Sequence, residues 1–173
     1  MFHAFDNDGP NRPLQRPQWM ALLARAPQEI LERTLGHHLG STGAAAVHWL
    51  RRPEVGLMMV QGRAGGTGER FNLGEVTVTR CALRLEQPDG ALAGVAWVLG
   101  RNQRHCSLAA VADALLQDPA RQDRLDAELL EPIRQHLRGQ AHERHDRAQS
   151  TRVDFFTLAR ESDGGATDED DEQ

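Results

Sequence analysis

The chain has 173 residues, 39% hydrophobic and 26% charged, the size of one domain that buries roughly two thirds of its unfolded surface without a disulfide scaffold. Seven of its 25 acidic residues fall in residues 161–173, so the formal charge of −5 conceals a body of 18 acidic against 20 basic residues. That balance argues against a nucleic-acid binder, which needs a clearly basic face, and no run approaches the ~18 apolar residues of a membrane-spanning helix.

Residues 1–15 are polar, with Asn and Pro, and read as a mobile arm. They lack the apolar centre of a secretory signal, so the expected compartment is the cytoplasm. Residues 16–40 are helical in pattern: Trp19, Leu22, Leu23 and Ala26 share a face, and Ile30, Leu31 and Leu35 continue it after Pro27. Proline suits the first turn of a new helix, so a helix–turn–helix pair or one kinked helix is expected, ended by Gly36 and Gly40.

Residues 44–101 read as strands: 46–50, closed by Pro53, then 55–61, 76–86 and, after the turn signal Pro88-Asp89-Gly90, 92–99. Links this short leave no room for crossover helices, so an antiparallel meander follows. In the third strand the apolar side moves from Val76 and Val78 to Cys81, Leu83 and Leu85, which predicts a bulge or sharp twist near Arg80. Runs 57–60 and 91–99 are apolar on both faces, which predicts cover on both sides by helices or by another subunit.

Leu108, Val111, Ala112 and Leu115 trace a helix that stops at Asp118-Pro119. Leu125, Leu129, Ile133 and Leu137 trace another, with Pro132 as a kink or break. The polar stretch 139–150 either extends that helix or forms an arm. Phe155 and Phe156 mark a late apolar patch that docks onto the core or a neighbour, and residues 161–173 form an acidic tail expected to be disordered. The organisation is therefore an arm at 1–15, one domain at 16–160, and the tail.

All 20 basic residues are Arg, so a phosphate contact here comes from guanidinium or backbone N–H and never from a P-loop lysine. The most unusual segment is Gly62-Arg-Ala-Gly-Gly-Thr-Gly-Glu-Arg-Phe71. Its glycines, Gly65, Gly66 and Gly68 among them, permit an anion-binding nest that Arg63 and Arg70 would clamp; equally, they supply the positive φ of a long hairpin. Neither GxxxxGK[ST] nor GxGxxG fits, and spacing alone favours the hairpin.

Arg101 and His105 sit where the last strand hands over to a helix. A helix starting near Asn102 places His105 in its first turn, as an acid–base or phosphate-contacting group or as an ordinary surface histidine. His37-His38 and His142-x-x-His145 lack companion ligands, and no metal site is expected. Ser107 and Ser150 have no neighbouring base. Asp113 interrupts its helix stripe as a solvent-facing residue or as the buried partner of an arginine, and Cys81 and Cys106 read as reduced thiols of the core.

Three blocks together resemble the PhnG family, the G subunit of the carbon–phosphorus lyase core complex. They are Gly65-Gly-Thr-Gly-Glu-Arg-Phe71 running into Gly74-Glu-Val-Thr-Val-Thr-Arg80, then Gly100-Arg-Asn-Gln-Arg-His105 with Asp113-Ala-Leu115, then Arg152-Val-Asp-Phe-Phe-Thr157. Trp97 precedes the second block, and the resemblance spans about residues 19–160.

The resemblance implies a non-autonomous subunit of a transferase, inactive alone, that works with the H, I and L subunits to displace adenine from ATP with a phosphonate such as methylphosphonate. It also implies assembly with the H, I, J and K subunits, the I subunit most directly. ATP is then the substrate of the complex, and no cofactor is expected on this chain alone. The contacts with substrate or sister subunits fall on Arg63, Thr67, Glu69, Arg70, Arg80, Arg101 and His105. The expected fold is α+β, a mostly antiparallel sheet of about four strands flanked by N- and C-terminal helices. The rival is a stand-alone nucleotide- or phosphate-binding module.

Overall fold

A computed structural model describes residues 14–36, 47–87 and 90–151. The N-terminal arm before residue 14, His37-His38, Gly40, the Pro88-Asp89 turn, the Phe155-Phe156 patch and the acidic tail lie outside the described residues.

Two short helices open the chain, α1 (Arg16–Leu23) and α2 (Gln28–Leu35). They form a pair rather than one kinked helix, because Pro27 is extended and starts α2 from outside it, while Gly36 caps its end. Three strands follow: β1 (Val47–Arg63), β2 (Arg70–Gln87) and β3 (Gly90–Leu99), antiparallel in the order β1-β2-β3. The remaining helices are α3 (Gln103–Leu116), α4 (Pro119–Leu125) and α5 (Glu131–Ser150).

The α+β class and antiparallel order hold, but the described sheet has three strands instead of about four. The runs expected at 46–50 and 55–61 merge, from Val47 on, into one strand that continues through Pro53. β1 is an edge strand with register shifts between Trp49 and Arg51 and between Arg51 and Glu54. An edge and a bulge are the places where a residue without an N–H is tolerated.

The same shifts correct the expectation of a bulge near Arg80. β2 pairs with β3 without a break from Val78 to Gln87, so the irregularity sits on β1, opposite Arg80 and Ala82. The apolar side of β2 changes because its cover changes, and the strand itself stays regular there.

The core lies where α3 packs on the sheet. Cys81, Leu83, Leu85, Ala96 and Val98 face it, and α1 and α2 close the other side, so α3 is buried from His105 to Leu116. A helix enclosed all round carries few polar residues, as this one does. Each fully buried Leu here contributes roughly 1.5–3 kcal/mol. β3 and α3 touch at Gly94, where any Cβ would run into the Ala110 carbonyl and come within 2.9 Å of Ala114 Cβ.

Asp113 is the polar centre of this packing, fully buried as an arginine's partner. Its carboxylate accepts from Arg16 Nη2 at 2.7 Å, Trp19 Nε1 at 2.9 Å and the Val95 N–H at 2.9 Å. One side chain thus ties α1, α3 and the edge of β3 together. The hydrogen bond to Asp113 raises the Arg16 guanidinium pKa further still.

Five residues of wider, π-type helix (Asp126–Leu130) join α4 to α5, just before Pro132 enters the first turn of α5. Proline offers no N–H to the preceding turn, and a local widening is one way to absorb that loss. The polar stretch 139–150 extends the helix, and all of it is exposed.

Candidate functional site

β1 and β2 are far longer than β3. Pairing with β3 ends at Val78↔Leu99, yet β1 and β2 stay paired out to Arg63↔Arg70. The eight residues from Gly56 to Arg63 therefore form half of a two-stranded arm that projects roughly 25 Å past the helix-backed sheet.

At the tip, Ala64–Gly66 make a single 3-10 turn, with Gly65 at φ 60° and Gly66 at φ 79°. These two glycines hold backbone angles that a side chain penalises. Gly68 has an ordinary φ and is needed for room: its N–H donates to the Ala64 carbonyl at 3.0 Å, and an added Cβ would meet that oxygen at 2.8 Å. The segment is a hairpin. Arg63, Thr67, Glu69 and Arg70 are all exposed on it. Arg63 makes one long bond, to the Gly68 carbonyl at 3.4 Å, and Arg70 and Glu69 have no side-chain partner among the described residues.

The other candidates stand at the root of the arm. Arg80 donates to Glu54 at 2.7 Å and lies 5.3 Å from the centre of the Trp97 ring, a stacking that suits a planar guanidinium. Hydrogen bonds from Arg80 and Arg51 hold the Glu54 carboxyl below its usual pKa range. Arg101, beyond the positive-φ Gly100, is exposed and has no side-chain partner among the described residues.

His105 is buried, and its Nε2 lies 2.8 Å from the Leu23 carbonyl. Its backbone N–H donates to Asn102 Oδ1 at 2.9 Å, and Asn102 Nδ2 donates to Gln28 at 2.6 Å. Arg104 donates to Glu32 at 3.2 Å. Much of the block 100–105 is thus spent on capping α3 and fastening it to α1 and α2, and the exposed Arg101 takes no part in this. Sequence reasoning missed this fastening; the Asn-x-x-His spacing of an N-cap was its available signal.

The structure therefore divides the seven candidates. Arg63, Thr67, Glu69 and Arg70 gather at the tip, while Arg80, Arg101 and His105 sit at the root, roughly 25 Å away.

Between the two groups both faces of the arm are apolar and open. Met58 pairs with Val76 on one face, where Phe71 also covers Gly62. Val55, Leu57 and Met59 occupy the other, and Leu73 stands at a register shift opposite Val60 and Gln61. Leu57 is 65% exposed and Leu73 67%. Sequence reading flagged Leu57 in a doubly apolar run and overlooked Phe71 and Leu73, which lie outside such runs.

Cys81 and Cys106 are free and buried, with sulfurs 3.4 Å apart. The hydrogen bond with Cys106, together with burial, pushes the Cys81 thiol far above its ordinary pKa, the signature of an inert core thiol. Among the described residues, no group of three or more His, Cys, Asp or Glu is placed to hold a metal ion. His142 pairs with Asp146, and His145 contacts Gln149. No described helix is long and apolar enough to cross a membrane.

Comparison with known proteins adds two findings. The family described as phosphonate metabolism protein PhnG matches residues 14–161 of the chain. The alpha-D-ribose 1-methylphosphonate 5-triphosphate synthase subunit PhnG of Rhizobium meliloti (strain 1021) is 38% identical over 149 residues, which covers 86% of this chain and 91% of that protein.

Proposed function

This chain belongs to the PhnG family of phosphonate metabolism proteins, and we propose that it is a non-autonomous subunit of an α-D-ribose 1-methylphosphonate 5-triphosphate synthase. In that reaction a methylphosphonate oxygen bonds to ribose C1 of ATP as the C1–N bond to adenine breaks. Adenine leaves with a proton, and the triphosphate stays on ribose C5. The chain works beside the H, I, J and K subunits of a carbon–phosphorus lyase core complex and functionally with the L subunit, the I subunit being its most direct neighbour. Its compartment is the cytoplasm, and ATP is a substrate of the whole complex.

The single observation that carries the reading, beyond kinship, is the arm. A two-stranded ribbon does not hold itself out in water on its own backbone bonds. This one carries Leu57, Met58, Met59, Phe71 and Leu73 at 43% exposure or more. Apolar surface of that extent on both faces is the mark of a protein interface. The tip supports the same view. Its arginines stand on an exposed turn and contact a ligand from one side only, so a closed site there takes walls from a partner.

Reconstitution tests the proposal. The isolated chain is expected to release no adenine from ATP and methylphosphonate, whereas the assembled complex does so and loses the activity when this chain is omitted. Tight ATP binding by the isolated chain in calorimetry, with undiminished activity of a complex lacking it, would instead favour the stand-alone binding module.

A further inference from the structure

The outer edge of β3 is divided into two halves. In an extended strand, alternate residues aim N–H and C=O at the same edge. The Val95 N–H points outward to Asp113, and the Ala93 carbonyl accepts from Gln117 Nε2 at 2.8 Å and from Arg16. That half is capped by side chains, a common protection for a strand edge. By the same alternation the Val95 carbonyl, both groups of Trp97 and the Leu99 N–H point outward too, and no described side chain caps them.

This open half borders an apolar groove. A cavity of about 230 Å³ lies between α1 and β3, lined by Met20, Ala21, Ala24, Val95 and Trp97 among others. Trp97 is 47% exposed and Leu99 71%. Two residues past Leu99, Arg101, without a side-chain partner among the described residues, places a positive charge at the end of the lane.

We infer that this groove takes an extended segment of a sister subunit, which adds as a fourth strand along Val95–Leu99 with a carboxylate opposite Arg101. Backbone groups bind the segment, the cavity seats one of its apolar side chains, and the guanidinium selects an acidic residue. The inference rests on the reading of the chain as a subunit and adds a surface distinct from the arm.

Hydrogen exchange on the assembled complex, read against the isolated chain, tests it. The Trp97 and Leu99 amides are expected to slow by roughly tenfold or more on assembly. Ala21→Trp, which fills the groove from an exposed helix position, is expected to weaken assembly by about tenfold. Leu99→Pro is expected to weaken it further than Leu99→Ala, which keeps the N–H.

A complex in which both amides exchange as fast as in the free chain overturns the inference and leaves the subunit reading standing. A chain that joins no complex overturns the subunit reading and the inference with it. Amides already slow in the free chain, and released by truncation after Thr151, assign the groove to the chain's own C-terminal segment and overturn the sister subunit as occupant. Slowing that grows with concentration of the free chain assigns it to a second copy, with the same consequence.

Discussion

β2 passes through two environments within 18 residues. From Thr79 to Leu85 its alternate residues lie under α3 and are almost wholly excluded from water, while from Arg70 to Glu75 every residue is exposed. Both stretches carry large apolar side chains: Leu83 and Leu85 in one, Phe71 and Leu73 in the other. Burial is therefore decided by what lies across the sheet, and the second stretch has nothing across it among the described residues. Under the proposed subunit role, Phe71 and Leu73 stand there for a surface supplied by a partner.

Breaking the backed half is expected to unfold the chain. Gly94→Val drives a side chain into the Ala110 carbonyl and Ala114, atoms that move only if α3 leaves the sheet. The expected loss is about 3 kcal/mol or more, read as a collapsed urea midpoint or as insoluble protein. A midpoint close to the parent's would show that α3 and β3 are not packed as described.

Asp113→Ala comes next. It strands the Trp19 and Val95 N–H groups and frees Arg16, at an expected cost of about 2–3 kcal/mol. Asp113→Asn keeps an acceptor and should lose less. Equal losses for the two would mean that the charge, not the acceptor geometry, holds this junction.

At the tip the expected effects shrink and become local. Gly66→Ala forces a side chain onto φ 79°, worth about 1 kcal/mol. Gly68→Ala meets the Ala64 carbonyl and should cost a similar amount. Both should appear as faster exchange of tip amides with the global midpoint unmoved. A global shift would show that the arm and the backed half unfold together.

The sharpest separation of the halves comes from Leu57→Ser with Leu73→Ser. Both side chains already stand in water, so the isolated chain should change by no more than about 0.5 kcal/mol and become more soluble. Assembly with partner subunits should fail. Unchanged assembly would remove the arm from the interface.

The two halves also differ in how far the sequence discloses them. The backed half was legible because its stripes are periodic: Leu83 and Leu85, Leu108, Val111 and Leu115 all fall in the core as their spacing requires. The arm was half legible. Its doubly apolar run predicts cover on both faces, whereas among the described residues Leu57, Met58 and Met59 are exposed; strand length did not show, since Pro53, Asn72 and Gly74 are residues that ordinarily end strands. His105 is legible only as a residue of the first helical turn; its burial against the distant Leu23 carbonyl is set by the approach of α1 and leaves no trace in the local sequence. Asp113 had two readings, and only the approach of α1 decides between them.

Arg70 and Arg101 carry the comparison down to single side chains. Both are exposed arginines without a carboxylate partner among the described residues, beside glycine-containing turns. Yet one is at the tip and the other at the root, too far apart for one triphosphate chain to reach both. Arg70→Lys and Arg101→Lys should each leave the isolated fold within about 0.5 kcal/mol of the parent, since neither removes a contact made inside the chain. Each should impair growth on methylphosphonate as sole phosphorus source, because an ammonium does not reproduce bidentate guanidinium geometry. The step that fails tells them apart. A variant that assembles but releases adenine slowly has lost a substrate contact, and one that does not assemble has lost a contact with a neighbour. Because the two positions are separate, they are expected to fail at different steps: Arg101, at the end of the β3 groove, at assembly, and Arg70, on a tip open to solvent, at turnover. Failure of both at assembly would make the tip a docking element as well, and normal growth of both would leave these arginines as solvated turn residues.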